Sequence, residues 1–206
     1  MLRIWGRANS VNVKKVLWAA EEMGVQYERI DAGLQYGVNK TPQYLKMNPT
    51  GLVPTVDDDG FVLWESHSIV RYLAAKHSVA KLWPTDLKRR AGAERWMDWT
   101  FTFQREFQRP IFWPLVRTPP EKRDANAIEA ARKACVELLR IPEAYLAEQP
   151  YLAGEELTIA DIPLGCHVQL WMRLPIERPP QPHLSAWFER LCKRPAFRRV
   201  VDIPLS

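Results

Sequence analysis

The stretch from Asn48 to Ile69 constrains this chain more than any other. It reads Asn-Pro-Thr-Gly-Leu-Val-Pro-Thr-Val, then Asp57-Asp58-Asp59-Gly60, then Phe-Val-Leu-Trp-Glu-Ser-His-Ser-Ile. Pro54 stands at the mouth of an apolar alternation, and a residue without an N–H belongs at a sheet edge or a tight bend. Such a bend suits a cis peptide bond. A cis Val53-Pro54 bond would leave the Val53 N–H and C=O outward, ready to pair with an extended peptide as an added strand would. Asp59-Gly60 turns the chain into a second short strand, Phe61 to Trp64. Glu65-Ser66 closes that strand and opens a helix whose Ile69, Val70 and Leu73 share one face. An anionic group set against Ser66 would meet its hydroxyl, free N–H groups and the positive end of the helix. Glu65 is placed to hold a cation. The unit reads as a cradle for a short peptide bearing both a carboxylate and an ammonium. Each part alone is ordinary, since Val-Pro is commonly a turn and a serine before a helix commonly a cap. Their order and spacing carry the specificity.

A chain of 206 residues with 47% apolar content is globular and long enough for one large domain or two small ones. It has no run of about 18 apolar residues, so no membrane span is expected. The start, Met-Leu-Arg-Ile-Trp-Gly, lacks the basic, apolar and small-residue regions of an export signal, and a cytoplasmic location is expected. Cys135, Cys166 and Cys192 are widely spaced and read as buried reduced thiols. The net charge of +5 includes clusters such as Lys88-Arg89-Arg90, but no basic helix face with interleaved reading residues, so nucleic acid is not an expected partner. No histidine has metal-ligand spacing, no metal is expected, and the three aspartates at 57–59 read as a solvated hairpin turn.

Taken in order, Leu2 to Gly6 suits a strand, Val13, Val16, Leu17 and Ala20 fall at helical spacing, and Gln26 to Asp31 alternates again. Strand, helix and strand of this length make a right-handed βαβ unit. Thr41-Pro42 caps a brief helix to about Met47. The two strands and helix of the Asn48–Ile69 region follow, giving an α/β, thioredoxin-like domain over 1–78. Residues 79–86 read as a linker. From 87 to 206 strand signals vanish, and an all-α domain is expected, with Asp86 capping its first long helix. Bends are expected at Pro110 and Pro114. A second long helix is expected over Glu121 to about Glu148. Thr158 and Asp161, flanked by Leu157 and Ile162, form a capping box serving folding.

The Val-Pro bend followed by Glu-Ser-x-x-Ile resembles the glutathione transferase superfamily, and the resemblance extends over essentially the whole chain. It implies the glutathione transferase fold, with Val53, placed by Pro54, pairing with the cysteinyl backbone of glutathione while Glu65 and Ser66 hold its γ-glutamyl end. Asn39 or Lys40 is expected to reach the glycine carboxylate. The Ser-x-Asn-x-Lys pattern from Ser10 to Lys14 is similar to the Ser-x-Pro-x-Arg of theta-class and related bacterial enzymes, with Asn12 in place of proline. It also resembles nu-class bacterial proteins, in which a Thr or Ser and an Asn two residues on both face the sulfur. Ser10 is therefore expected to donate a hydrogen bond to the glutathione thiolate, with Asn12 a second or the principal donor. Lowering a thiol from about 8.5 by one or two pKa units takes roughly 1.4 to 3 kcal/mol, within reach of one or two donors and a helix end. The competing reading is that both residues only cap the first helix. The segment carries no tyrosine and no cysteine that would serve the sulfur instead.

A second-substrate pocket is expected between Ala8-Asn9-Ser10 and the first long helix of the helical domain, with Trp99, Phe103, Phe107 and Trp113 as candidates for an apolar wall. The resemblance implies a homodimer and conjugation of glutathione, as co-substrate, to a hydrophobic electrophile. The alternatives are glutathione-dependent disulfide or peroxide reduction at the same site, or a non-catalytic transferase-like binding protein.

Overall fold

The computed structural model describes residues 1–205; Ser206, the end of the expected helical region, lies outside the described residues. Four short strands form one sheet: β1 (Leu2–Trp5), β2 (Tyr27–Ile30), β3 (Thr55–Asp58) and β4 (Phe61–Trp64). Their order is β2-β1-β3-β4, with β1 parallel to β2 and antiparallel to β3, and β3 antiparallel to β4. The parallel pair is joined through α1 (Val11–Glu22), as a crossover connection requires. Pairing Ile4 with Val56 puts two fully buried side chains side by side in the centre of the sheet.

The sheet has two unlike faces. Beneath one, Trp5, Ala32 and Tyr44 form a small apolar cluster under α2 (Pro42–Met47), whose first turn is capped by Thr41 accepting from the Tyr44 N–H. Against the other lie α1 and α3 (Ser66–His77), and their core is continuous with that of the helices that follow. The helix α1 is buried nearly all round because it sits between the sheet domain and the helical one, the situation in which a helix loses its polar face.

The rest is helical: α4 (Leu87–Phe107), a π-helical turn over Gln108–Phe112, α5 (Trp113–Arg117), α6 (Ala125–Glu148), α7 (Asp161–Arg173), α8 (Pro182–Cys192) and α9 (Pro195–Val200). Asp86 caps α4 through the Arg89 N–H, and the irregular turn falls at Pro110, as expected. The second long helix begins later than Glu121. Asp124 accepts from the Ala127 N–H and starts α6, while Pro120–Lys122 is a separate 3₁₀ turn.

Asp161 is fully buried and accepts from the N–H groups of Thr158 (3.0 Å) and Leu152 (3.0 Å) and from Trp187 Nε1 (2.9 Å). It ties together the start of α7, the loop before it and α8. Burial raises its pKa to about 6, with these three donors opposing the rise. Gly165 lets α7 approach α1, since a Cβ there would lie 2.9 Å from the Trp18 ring. The aspartate triplet departs from expectation. Only Asp59 is in the turn; Asp57 and Asp58 belong to β3, where Asp57 meets Arg3 (2.6 Å) and Asp58 meets Lys76 (2.5 Å) and Tyr72 (2.7 Å). Two strand carboxylates find cations on neighbouring elements, a pairing that reading them in sequence as a loop leaves out.

Candidate active site

A cavity of about 670 Å³ opens between the sheet domain and the α4–α5 segment, lined on the sheet side by Arg7, Ser10, Asn12, Gly33, Leu34, Asn39, Leu52 and Val53. A narrower arm of about 200 Å³ shares Asn12 and Val53 with it and continues to Asn48, Pro54, Glu65 and Ser66. The Val53-Pro54 bond is cis, and Val53 makes no backbone hydrogen bond to another described residue. A local network fixes the bend. The Leu52 carbonyl accepts from the Tyr44 hydroxyl (2.6 Å) and from Asn48 Nδ2 (3.0 Å), Asn48 Nδ2 also reaches Thr55 Oγ1 (2.9 Å), and the Thr50 hydroxyl donates to Asn48 Oδ1 (2.6 Å).

Ser66 opens α3 and is buried; its hydroxyl has no partner among the described residues. Glu65 precedes it at φ 74°, ψ 110°, a left-handed conformation that a non-glycine residue adopts at a cost of about 1 to 3 kcal/mol. Strain of that kind is tolerated where it aims a functional group. The Glu65 side chain is exposed and makes no ion pair among the described residues, so it stays available to a cation.

At the start of α1, Ser10 has the extended backbone of an N-cap, yet its side chain makes no capping bond. Its hydroxyl has no partner among the described residues, and Ser10 lines the cavity. Asn12 is held from behind: its Oδ1 accepts from Lys15 Nζ at 3.0 Å, while its amide nitrogen has no partner among the described residues. Lys15 is fully buried, and its ammonium meets two more acceptors, His67 Nε2 (3.0 Å) and Gln104 Oε1 (3.3 Å). Three N–H donors thus face three neutral acceptors. Burial lowers the Lys15 pKa to about 7, with Glu65 among the charges acting the other way. Burial and the Lys15 charge push His67 far down, so its imidazole stays neutral and accepts through Nε2. Its ring also stacks on Phe101 with 4.2 Å between centroids.

The opposite wall comes from Phe101, Gln104, Arg105, Gln108, Arg109, Trp113 and Arg117. The first four recur at i, i+3, i+4 and i+7, one stripe of a helix. Among the described residues, no group of three or more His, Cys, Asp and Glu side chains is arranged to hold a metal ion.

Comparison with known proteins gives two family models that match: "Glutathione S-transferase, N-terminal domain" over residues 1–75 and "Glutathione S-transferase, C-terminal domain" over residues 107–195. The curated glutathione S-transferase GstB of Escherichia coli (strain K12) is 44% identical over 208 residues, covering 100% of both chains. The chain belongs to the glutathione S-transferase family. Glutathione S-transferase 3 of Zea mays is 33% identical, covering 99% of this chain and 95% of that one. The theta class glutathione S-transferase of Xanthomonas axonopodis pv. citri, a structure with glutathione bound, superposes with a TM-score of 0.96 at 50% identity, covering 100% of this chain and 99% of that one.

Against the pattern of a glutathione S-transferase, the structure brings Ser10, Asn12, Asn39, Val53, Pro54, Glu65 and Ser66 together around the cavity and its arm. Lys40 is exposed and lines neither space; Asn39 lines the cavity and also braces it, donating to the Gly51 carbonyl at 2.6 Å. Lys14, the last residue of the Ser-x-Asn-x-Lys pattern, turns away to the Val201 carbonyl (2.9 Å) and Gln169 Oε1 (3.3 Å), where burial lowers it to about 8. The expected apolar wall is largely wrong. Phe103 and Phe107 are fully buried and stack on each other in the core, Trp99 packs edge-on against Trp96, and only Trp113 lines the cavity. Helical phase explains the error, since 103 and 107 lie on the face of α4 opposite to 101, 104, 105 and 108. Lys15, His67 and Gln104 carry no sequence signal of their own. The polar stripe Gln104, Arg105, Gln108 was the available clue to the second wall.

Proposed function

We propose that glutathione lies along the cradle from Glu65-Ser66 to Val53 with its sulfur at the mouth of α1, where Ser10 Oγ and the Asn12 amide donate to the thiolate. The γ-glutamyl carboxylate sits against Ser66 and the start of α3, its ammonium against Glu65, the cysteinyl backbone pairs with Val53, and the glycine end lies toward Asn39. The thiolate sulfur attacks the electrophilic carbon of the second substrate. A C–S bond forms, the leaving group departs with its electron pair, and the thiol proton has already gone to solvent.

Lys15 is a positioning residue in this reading. By holding Asn12 Oδ1 it fixes which way the carboxamide faces, and its buried ammonium polarises that amide as a donor and adds positive potential behind the sulfur. The observation that carries the proposal is the pair of donors left uncommitted in one cavity beside Val53: the Ser10 hydroxyl and the Asn12 amide. Titrating the thiolate absorbance of bound glutathione tests it. A bound thiol at least one unit more acidic than free glutathione is expected, and tight binding with an unshifted thiol would refute the catalytic part. A cytoplasmic homodimer belongs to the same proposal. Exposed Phe61, Trp64 and Phe101 favour burial against a second copy, to be checked by sedimentation equilibrium.

A further inference from the structure

The cavity carries positive charge that the described residues balance only in part. Arg105, Arg109 and Arg117 line the second wall and Arg7 faces them from the sheet side, and among the described residues no aspartate or glutamate lines the cavity. Arg105 is partnered by Glu106 (3.0 Å), but Arg7, Arg109 and Arg117 make no ion pair among the described residues. The Arg7 Nε is buried without a hydrogen-bond partner among the described residues. Two guanidiniums lie over Trp113, Arg109 at 5.3 Å and Arg117 at 5.5 Å from its ring centroid, and Arg117 also lies 5.8 Å from the Phe112 ring. Aromatic faces orient these cations without neutralising them. Burial holds Arg7 and Arg117 below the usual guanidinium range, and at Arg7 the charge of Arg117 adds to the lowering.

Glutathione does not supply the balance. Its carboxylates are taken up at Ser66 and toward Asn39, and even as the thiolate its net charge of minus two falls short of the three guanidiniums of Arg7, Arg109 and Arg117. We propose that the second substrate is an electrophile bearing a carboxylate or an equivalent oxyanion, its flat apolar body against Trp113 and its anion held by Arg109 and Arg117, with Arg7 closing the site. This inference rests on the thiolate reading above and replaces the purely hydrophobic electrophile with an amphipathic one. Planar guanidiniums suit it, because they hold an oxyanion through two parallel N–H groups.

The reaction chosen as probe is aromatic substitution on 4-chloro-3-nitrobenzoate, with its methyl ester as the neutral control. The glutathione sulfur bonds to the ring carbon bearing chlorine, and chloride leaves with the bonding pair. Glutathione binding and thiolate absorbance are measured first on the same preparation, and each kcat/KM is divided by the uncatalysed rate constant of that arene with glutathione. The expected result is an enhancement at least about tenfold greater for the benzoate than for the ester, a factor of 10 being about 1.4 kcal/mol. The preference should shrink as salt rises and fall severalfold in Arg117→Gln and in Arg109→Gln. Arg117→Lys should recover part of it. Equal enhancement of the two arenes, or preference for the ester, by enzyme that binds glutathione as thiolate would overturn the anion site alone. Failure to bind glutathione would overturn both readings.

Discussion

The two walls of the cavity are built on opposite principles. On the sheet side, Lys15 is saturated by three acceptors, Asn48 and Tyr44 hold the bend, and the Ser10 and Ser66 hydroxyls have no partner among the described residues. On the helical side, Arg109 and Arg117 stand in the opening with no carboxylate partner among the described residues. The first wall is finished before its ligand arrives, as suits a co-substrate of fixed structure. The second is completed only by charge brought from outside, and so selects among substrates that differ.

The contrast is sharpened first by a residue that should matter to neither wall. Asp161→Ala leaves three buried donors unpaired, and at about 1 to 3 kcal/mol each the loss in urea unfolding should reach about 3 kcal/mol or more. The folded fraction should still bind glutathione with an unchanged thiol pKa. Next, Lys15→Met should raise the pKa of bound glutathione by about one unit, equivalent to about 1.4 kcal/mol, and cut kcat/KM near neutral pH about tenfold. Glutathione affinity should change much less, a split that a merely structural lysine would not produce. Loss of affinity and activity in parallel would erase the distinction drawn here between holding the ligand and activating it.

The pH dependence of that variant has a definite sign. The folded-state pKa of Lys15 is lowered from 10.5 to about 7, so between these values the unfolded chain binds more protons. Wild-type stability should therefore rise relative to Lys15→Met as pH increases from about 7 toward 10.5, and the difference should be flat below about 7. Urea midpoints of the two proteins across that range read it directly. The smallest effect is expected from Lys14→Met. Its neighbour's twin in sequence is tied to Val201 and Gln169, so stability should fall by about 1 to 2 kcal/mol with no shift in the bound thiol.

What was legible in the sequence follows from the range of the interactions involved. The Val-Pro bend, the Asp-Gly turn and the Glu-Ser helix start are set by neighbours within a few residues, and the structure places all three as read. The four-strand sheet followed by helices was likewise readable from where period-two alternation stops. Lys15, His67 and Gln104 belong to three separate helices, α1, α3 and α4, and become one site only when these pack. A lysine after a motif gives no hint that it will be buried and turned to the asparagine three residues before it. The expected aromatic wall differs for another reason: the phase of α4 turns Phe103 and Phe107 into the core and Gln104, Arg105 and Gln108 toward the opening. Helix α6 starts at Ala125 and not at Glu121 because Asp124 supplies the cap, leaving Glu121 in a separate 3₁₀ turn.

The most direct measurement is the pKa of glutathione bound to wild type, Ser10→Ala and Asn12→Ala, read from thiolate absorbance at saturating protein. Wild type should hold the thiol at least one unit below its free value of about 8.5, with Asn12→Ala returning most of that shift and Ser10→Ala a smaller part. A bound thiol that titrates alike in all three proteins would contradict the account, because the sulfur would then owe nothing to the two donors at the mouth of α1.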